Sequence, residues 1–242
     1  MFEIMDMHNH GLFGVDDGAK SYEMMCDMIK ASYDCDVRTI CFTPHAQDLR
    51  GNVLDVDRTL EVFEIAKEYC KAEYPDLEVY LGSELLYHYE CIDAIADKKI
   101  FTMNGSRYVL VDFMLTPDLR SIRIGAERLL NSGYRPIIAH IERYPCFYQK
   151  PNIIKELIRS GAVIQVNASA LLEGVFSRTR RWCLKLISNG LVDLISSDAH
   201  SMGVRNPDMS EALALVRSKF GDDVAKKLFL ENGKKILNNE NL

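Results

Sequence analysis

The sequence lacks the long apolar runs and the basic excess that would indicate a membrane or nucleic-acid protein. No apolar stretch approaches about 18 residues, the length at which a membrane span is considered. The N-terminus has neither a basic leader nor an apolar secretory core, so we expect a cytoplasmic protein without membrane insertion. The formal net charge is −6, and no long basic run is present. Nucleic acid is therefore excluded as the expected partner.

The cysteine pattern excludes several further kinds of site. The seven cysteines are an odd number without a Cys-x-x-Cys pair, which argues against a disulfide framework and against a zinc ribbon. No cysteine is followed six positions later by arginine, so the phosphate loop of cysteine-dependent phosphatases is missing. We interpret these thiols as buried or chemically indifferent.

Short β-rich runs alternate with helical stretches along the whole chain. Seven runs are predicted as strands: 3–7, 37–42, 78–81, 108–113, 136–139, 163–166 and 191–196. Apolar strands separated by helices indicate an α/β fold with a parallel sheet buried on both faces. The 242 residues suffice for one large core, so we predict a single domain over 1–242 that closes into a barrel. An open doubly wound sheet is the alternative.

Metal-binding residue types recur at or just past the ends of these predicted strands, where barrels carry their function. They are His8, His10, His45, Glu84, Asp112, His140, Asp198 and His200. Side chains two apart in a strand share a face, so His8 and His10 can chelate one ion. Imidazoles and carboxylates without thiolates suit Zn, Mn or Fe in a hydrolytic site. The ligands exceed what one ion uses, which predicts two or three clustered ions suited to phosphoryl displacement.

The ordered series of motifs resembles the polymerase and histidinol phosphatase (PHP) superfamily. The motifs are Asp6-x-His8-x-His10, Val15-Asp16-Asp17-Gly18, Thr43-Pro44-His45, Gly82-Ser83-Glu84, Ile138-Ala139-His140-Ile141-Glu142-Arg143-Tyr144 and Ser197-Asp198-x-His200. More closely, the series is similar to bacterial manganese-dependent protein tyrosine phosphatases of capsule and exopolysaccharide loci. The resemblance extends to about Arg205. It implies a distorted (β/α)7 TIM-like barrel with the metal site at the C-terminal ends of the strands.

The resemblance also assigns ligands to three ions. His8, His10, Glu84 and Asp198 would bind the first ion, Glu84, Asp112 and His140 the second, and Asp17, His45 and His200 the third. The family commonly has Glu at the position of Asp112, and the shorter side chain could weaken or shift the second ion. Manganese is the expected metal, with Fe, Zn and Mg as alternatives.

The resemblance further implies hydrolysis of phosphotyrosine, in which a metal-activated hydroxide attacks phosphorus in line. Arg143 and Arg205 would hold phosphoryl oxygens, which match the guanidinium fork. A metal ion, or a protonated His200 or Asp198, would assist the departing phenolate. The implied substrate is the Tyr-rich tail of a bacterial tyrosine autokinase that controls polysaccharide export. A small-molecule phosphomonoesterase such as a histidinol phosphatase, and a catalytically silent metal-binding module, remain the alternatives.

Two local patterns have a simpler interpretation beside the functional one. Asp16 and Asp17 precede Gly18 and could form only a turn; we interpret Asp17 as a ligand and Asp16 as the turn former. The four residues Arg178-Thr179-Arg180-Arg181 could be a docking patch for an acidic partner, but we favour a solvated helix start.

Overall fold

The computed structural model describes residues 2–47, 53–114 and 116–242. These ranges contain eight strands: β1 (Ile4–Asn9), β2 (Val37–Phe42), β3 (Glu78–Leu81), β4 (Glu84–Leu86), β5 (Tyr108–Asp112), β6 (Arg135–Ile138), β7 (Val163–Asn167) and β8 (Leu194–Ser196). They form a three-stranded sheet in the order β1-β2-β3 and a five-stranded sheet in the order β4-β5-β6-β7-β8. Every neighbouring pair is parallel, as the sequence predicts for an α/β fold.

Helices connect the strands. The α-helices are α1 (Tyr22–Asp34), α2 (Val56–Glu73), α3 (Cys91–Ala96), α4 (Leu119–Asn131), α5 (Pro151–Ser160), α6 (Ala168–Leu172), α7 (Arg178–Ser188), α8 (Ser210–Phe220), α9 (Asp222–Lys226) and α10 (Asn232–Leu237). Short 3₁₀ turns occupy Met103–Gly105, Ile141–Arg143 and Pro145–Phe147, and Lys227–Glu231 is π-helical. Ser21 caps α1 by accepting the Met24 N–H, as expected for a helix that starts there.

Backbone hydrogen bonds tie the two sheets together at both junctions. At one junction, Asp198 N–H donates to His8 O at 2.8 Å and His10 N–H donates to Ala199 O at 2.9 Å. At the other, Glu84 N–H donates to Pro44 O at 3.0 Å and Ala46 N–H donates to Glu84 O at 2.8 Å. The first junction lies near the carboxyl ends of β1 and β8, and the second joins the segment after β2 to the start of β4, so both bring site residues of different sheets into contact.

The seven predicted strands are all present, but the prediction of seven strands is wrong by one. The additional strand, β4, has only three residues and follows β3 after Gly82 and Ser83. A three-residue strand carries too little periodicity to be separated from the preceding run. The consequence is that Glu84 begins a strand, paired opposite Leu110 of β5, instead of ending one.

The strands are buried on both faces, as the continuous apolar runs predict. In β5, Val109 and Val111 pack into the cluster shared with the helices, whereas Tyr108 and Leu110 join a second cluster with Met7 of β1. Among the described residues, no helix is both long and apolar enough to cross a membrane.

Candidate metal centre

The nine residues predicted as ligands converge at the carboxyl ends of the strands. Their donor atoms form three groups that could each hold an ion, with the atoms of each group within 4.8 Å of one another. The groups are His8, His10 and Asp198; Glu84, Asp112 and His140; and His10, Asp17, His45 and His200. Compared with the expected assignment, Glu84 is absent from the first group and His10 appears in the third group as well. His88, the one histidine outside the prediction, lies near Glu90 instead.

Glu84 lies at the centre of the groups. Its Oε2 is 3.0 Å from His45 Nδ1 and 3.4 Å from the Nε2 of both His8 and His10, and its Oε1 is 2.8 Å from His140 Nε2. The side chain is almost completely buried. Burial raises the pKa of Glu84, but the surrounding histidines outweigh it and hold the pKa well below its usual range. An ionised carboxylate that contacts four histidines could supply ligand oxygens at the centre of these groups.

The loop after β1 folds back over this centre. Gly18 approaches His10 so closely that a Cβ would lie 1.9 Å from His10 O, which excludes any side chain at this position. Asp16 forms the predicted turn by accepting the Gly18 N–H at 2.9 Å. Asp16 also has a second role that the sequence did not indicate, because its Oδ2 lies 2.7 Å from His10 Nδ1.

Hydrogen bonds on the outer ring nitrogens fix how three histidines face the centre. The Nδ1 of His10 contacts Asp16, the Nδ1 of His8 lies 3.4 Å from Gln165 Oε1, and the Nδ1 of His200 lies 3.0 Å from Asp198 O. Each acceptor requires a proton on Nδ1, which leaves the Nε2 lone pair for an ion. Such outer partners orient metal-binding imidazoles in general.

Asp112 occupies a different environment from the other carboxylates. Its Oδ1 accepts a hydrogen bond from Tyr144 OH and lies 4.0 Å from His140 Nδ1. The Tyr144 oxygen in turn accepts the Phe113 N–H at 3.0 Å. Burial is the main cause that raises the pKa of Asp112. Tyr144 thus positions the carboxylate of Asp112, the ligand position at which the family commonly has Glu.

The two arginines expected to bind phosphate lie at the edge of the site. Arg143 donates to Asp198 Oδ2 at 2.7 Å, and Arg205 donates to the other oxygen, Oδ1. Their side chains remain 39% and 37% exposed, so both guanidinium groups border the solvent opening of the site. Asn167 also donates to Asp198 Oδ2, at 2.8 Å. Asp198 therefore accepts hydrogen bonds on both oxygens.

The clustered carboxylates raise the pKa of two of the histidines, which favours the protonated form of each. Burial disfavours the charged form of His10, but Asp16 and Glu84 outweigh it and raise the pKa of His10 to about 9. Burial likewise opposes protonation of His45, and Asp17 and Glu84 raise its pKa to about 11. A divalent cation could take over the charge that these protons supply.

The donor set fits divalent ions on its geometry. The Nδ1 of His140 and the Nε2 of His200 are buried and have no hydrogen-bond partner. His200 Nε2 lies 3.4 Å from Asp17 Oδ1, and His140 Nδ1 lies 4.0 Å from Asp112 Oδ1. Two atoms that bind one ion at about 2 Å each are separated by such distances. Nitrogen and oxygen donors without thiolate suit Mn, Fe or Zn.

Some residues that support the site were not predicted from the sequence. Asp6, which is fully buried, accepts hydrogen bonds from the Ser197 N–H at 2.9 Å, the Ser197 hydroxyl at 2.6 Å and the Asn9 amide at 2.9 Å. It thereby joins β1 to the segment that carries Asp198. Gln165 accepts the His140 N–H at 2.6 Å in addition to its contact with His8. The only sequence signal for Asp6 is its place two residues before His8.

Known protein families and curated proteins resemble this chain over nearly its whole length. The model of the family described as "Capsular polysaccharide synthesis, CpsB/CapC" matches residues 4–238. The chain is 33% identical over 242 residues to "Tyrosine-protein phosphatase CpsB" of Streptococcus pneumoniae, covering 97% of this chain and 98% of the relative. It is also 33% identical over 239 residues to "Putative tyrosine-protein phosphatase CapC" of Staphylococcus aureus, covering 99% and 93%.

A solved structure agrees with these relatives. It belongs to a study of YwqE from Bacillus subtilis and CpsB from Streptococcus pneumoniae, described as unique metal-dependent tyrosine phosphatases. The match has a TM-score of 0.89 at 27% sequence identity and covers 99% of this chain and 96% of the other. The chain therefore shares its overall fold with a metal-dependent enzyme.

Proposed function

Because the chain belongs to the CpsB/CapC family of capsular polysaccharide synthesis, we propose that it is a metal-dependent protein-tyrosine phosphatase, a phosphoric monoester hydrolase of class EC 3.1.3.48. The observation that carries this proposal is the convergence of nine imidazole and carboxylate groups, bordered by two half-exposed arginines. Neither feature is needed to stabilise an α/β fold. Together they match the requirements for hydrolysing a phosphate ester.

The proposed ligand sets are those implied by the motifs. His8, His10, Glu84 and Asp198 hold the first ion; Glu84, Asp112 and His140 hold the second; Asp17, His45 and His200 hold the third. The proposed metal is manganese, one of the ions that mixed nitrogen and oxygen donors suit. Bound divalent ions supply charge for the transition state and lower the pKa of a water nucleophile.

Arg143 and Arg205 bind the phosphoryl oxygens in this proposal. Both are anchored through Asp198, which fixes their orientation, and both remain more than one-third exposed. The Nε of Arg205 is buried and has no hydrogen-bond partner, so its donor capacity is not used within the protein. Guanidinium groups fixed in advance stabilise developing negative charge without reorganising.

The departing phenolate needs a proton or a positive charge. Asp198 accepts hydrogen bonds from Arg143, Arg205 and Asn167, which favours its ionised form. The Nε2 of His200 is buried 3.4 Å from Asp17 Oδ1 and is a proposed ligand of the third ion, so it is not free to carry a proton. We therefore propose that a bound ion would supply the positive charge that assists the leaving group.

The proposal also concerns the architecture of the whole chain. The hydrogen bonds at both sheet junctions support a distorted barrel, and we propose that residues 1–242 form one PHP-type domain. The expected substrate is a phosphotyrosine protein in the cytoplasm, such as the Tyr-rich tail of a tyrosine autokinase. The family description, which concerns capsular polysaccharide synthesis, supports this class of partner.

Phosphatase assays with and without metal test the proposal. Chelation should remove turnover of a phosphotyrosine peptide, and added Mn²⁺ should restore it, because the ions supply the nucleophile and the charge. Efficiency on the peptide should exceed that on histidinol phosphate. Full activity in metal-free protein would contradict the metal-dependent mechanism. Higher efficiency on histidinol phosphate would favour the small-molecule alternative, and silence on every phosphoester would favour a metal-binding module.

Tyr144→Phe should weaken the second ion site. The variant leaves Asp112 without its donor and the Phe113 N–H without its acceptor. Loss of an outer partner typically costs about 10- to 100-fold in metal affinity or activity, so we expect a change of that size in the Mn²⁺ concentration for half-maximal activity. Tyr134→Phe is the matched control. Equal Mn²⁺ dependence of Tyr144→Phe and the wild type would contradict this role.

A further inference from the structure

Exposed side chains at the start of α7 suggest how the site selects its substrate. We propose that Tyr148, Val175, Phe176, Arg178 and Arg181, here called the α7 rim, dock acidic residues that flank phosphotyrosine in a peptide. This inference rests on the proposed function and specifies the class of peptide. It revises the interpretation of these arginines as a solvated helix start.

The α7 rim lies on the same side of the fold as the metal centre. Strand β7 ends at Asn167, whose amide donates to Asp198. A helix that follows a parallel strand starts at the carboxyl end of the sheet, and α6 and α7 both follow β7 before β8. Helix α7 also packs against the Ile141–Arg143 turn, which carries a proposed phosphate-binding arginine.

Arg178 is held by an aromatic side chain instead of an acidic one. Its guanidinium carbon lies 4.7 Å from the centre of the Tyr148 ring, and its Nε is 3.5 Å from Tyr148 OH. The Tyr148 ring packs in turn against Trp182, with ring centres 5.8 Å apart. Cation–π contact orients the guanidinium without neutralising its charge. Arg178 thus keeps its positive charge available to a ligand.

The arginines at the start of α7 interact unfavourably with the partial positive charge at the amino end of this helix. The amino end of a helix carries partial positive charge and favours acidic residues. The first turn of α7 contains no acidic residue, whereas the first turns of α1 and α8 contain Glu23 and Glu211. Helix stability therefore does not explain the arginines at this end of α7.

Arg178 and Arg181 also have no carboxylate partner within the described ranges. Arg58, Arg123 and Arg217, which are elsewhere on the surface, are each paired with an acidic side chain. Arg120 and Arg159 have no ion pair among the described residues either, so what distinguishes Arg178 and Arg181 is their position on the helix that packs against the Ile141–Arg143 turn. Their guanidinium groups are complementary to carboxylates, which they can bind in a bidentate manner.

The apolar part of the α7 rim favours a peptide over a small ligand. Val175 and Phe176, which directly precede α7, are 65% and 87% exposed. Exposed apolar side chains next to charged ones are typical of sites that bind a macromolecule. A phosphotyrosine peptide with acidic neighbours can contact both the apolar and the charged residues of the α7 rim. Its backbone and side-chain stems would cover the apolar residues, and its carboxylates would pair with the arginines.

The test compares two phosphotyrosine peptides that differ only in having Glu or Gln on both sides of the phosphotyrosine. Wild type should prefer the Glu peptide by about three- to tenfold in kcat/KM, mainly through KM, since an exposed ion pair contributes modestly. Arg178→Gln/Arg181→Gln should remove this preference and leave hydrolysis of free phosphotyrosine unchanged. Added salt should reduce the wild-type preference in the same direction.

Lys155→Gln/Arg159→Gln is the charge-matched control, because both residues are exposed on α5, which precedes β7. This variant should keep the wild-type preference. A preference that survives in Arg178→Gln/Arg181→Gln, or an equal loss on both peptides, would overturn the docking role. If the wild type hydrolyses free phosphotyrosine but shows no preference between the two peptides, the docking role of the α7 rim is overturned and the proposed function is not. Inactivity on all three substrates would overturn the proposed function as well.

Discussion

Glu84→Gln should lower kcat for phosphotyrosine hydrolysis by about 10²- to 10³-fold or more, the usual effect of removing one electrostatic group from an active site. The amide keeps the shape of the side chain but has no negative charge with which to bridge two ions. The His10, His45 and His140 rings also lose the carboxylate that they contact. Steady-state assays with excess Mn²⁺, together with the metal content of the purified variant, measure both effects.

Glu90→Gln is the control for this prediction. Glu90 is exposed and contacts His88 instead of the metal centre, so its replacement should leave kcat and metal content unchanged. Far-UV circular dichroism of Glu84→Gln should match that of the wild type. Wild-type turnover and metal content in Glu84→Gln would disprove a bridging role.

Asp6→Ala should lower the free energy of unfolding by about 2–4 kcal/mol, because each buried donor left without a partner costs about 1–3 kcal/mol and the loss is offset in part by removing a buried charge. The donors concerned are the Ser197 N–H, the Ser197 hydroxyl and the Asn9 amide. Urea unfolding in the presence of chelator measures this cost separately from metal binding. Activity should fall as well, since Ser197 precedes the proposed ligand Asp198.

Asp27→Ala provides the comparison for Asp6→Ala. Asp27 is an exposed residue of α1, and surface substitutions of this kind usually change stability by less than about 0.5 kcal/mol. If Asp6→Ala changes the free energy of unfolding by less than about 0.5 kcal/mol, the hydrogen bonds of Asp6 do not hold β1 and the Ser197 segment together.

Local patterns allowed much of the site to be predicted from the sequence. The spacing of His8 and His10 places both rings on one side of β1, where their Nε2 atoms lie 3.1 Å apart. Glycine just past a helix is typical of a helix C-cap, and Gly133, Gly161, Gly190 and Gly221, each within two residues of a helix end, all have positive φ. These features depend on neighbours within a few residues, which is the range over which periodicity and capping rules apply.

The supporting contacts could not be predicted, because they join distant parts of the chain. Asp6 and Ser197 are 191 positions apart, and Tyr144 and Asp112 are 32 apart. No local rule pairs a buried carboxylate with a serine or tyrosine at such separations. The strand β4 was missed for the opposite reason, since its three residues are too few to show a period.

The backbone at two of the proposed ligands has a consequence for how the site can be altered. His140 and Asp198 adopt positive φ angles of 32° and 53°, a left-handed conformation that disfavours most side chains. Such residues cost about 1–3 kcal/mol each and persist only where their surroundings enforce them. Substitution there changes the intrinsic backbone preference together with the ligand. Asp17 and His45 lie outside that conformation and are 66% and 28% exposed. Replacement of Asp17 or His45 therefore removes a proposed ligand without altering a left-handed backbone position, which replacement of His140 or Asp198 cannot do.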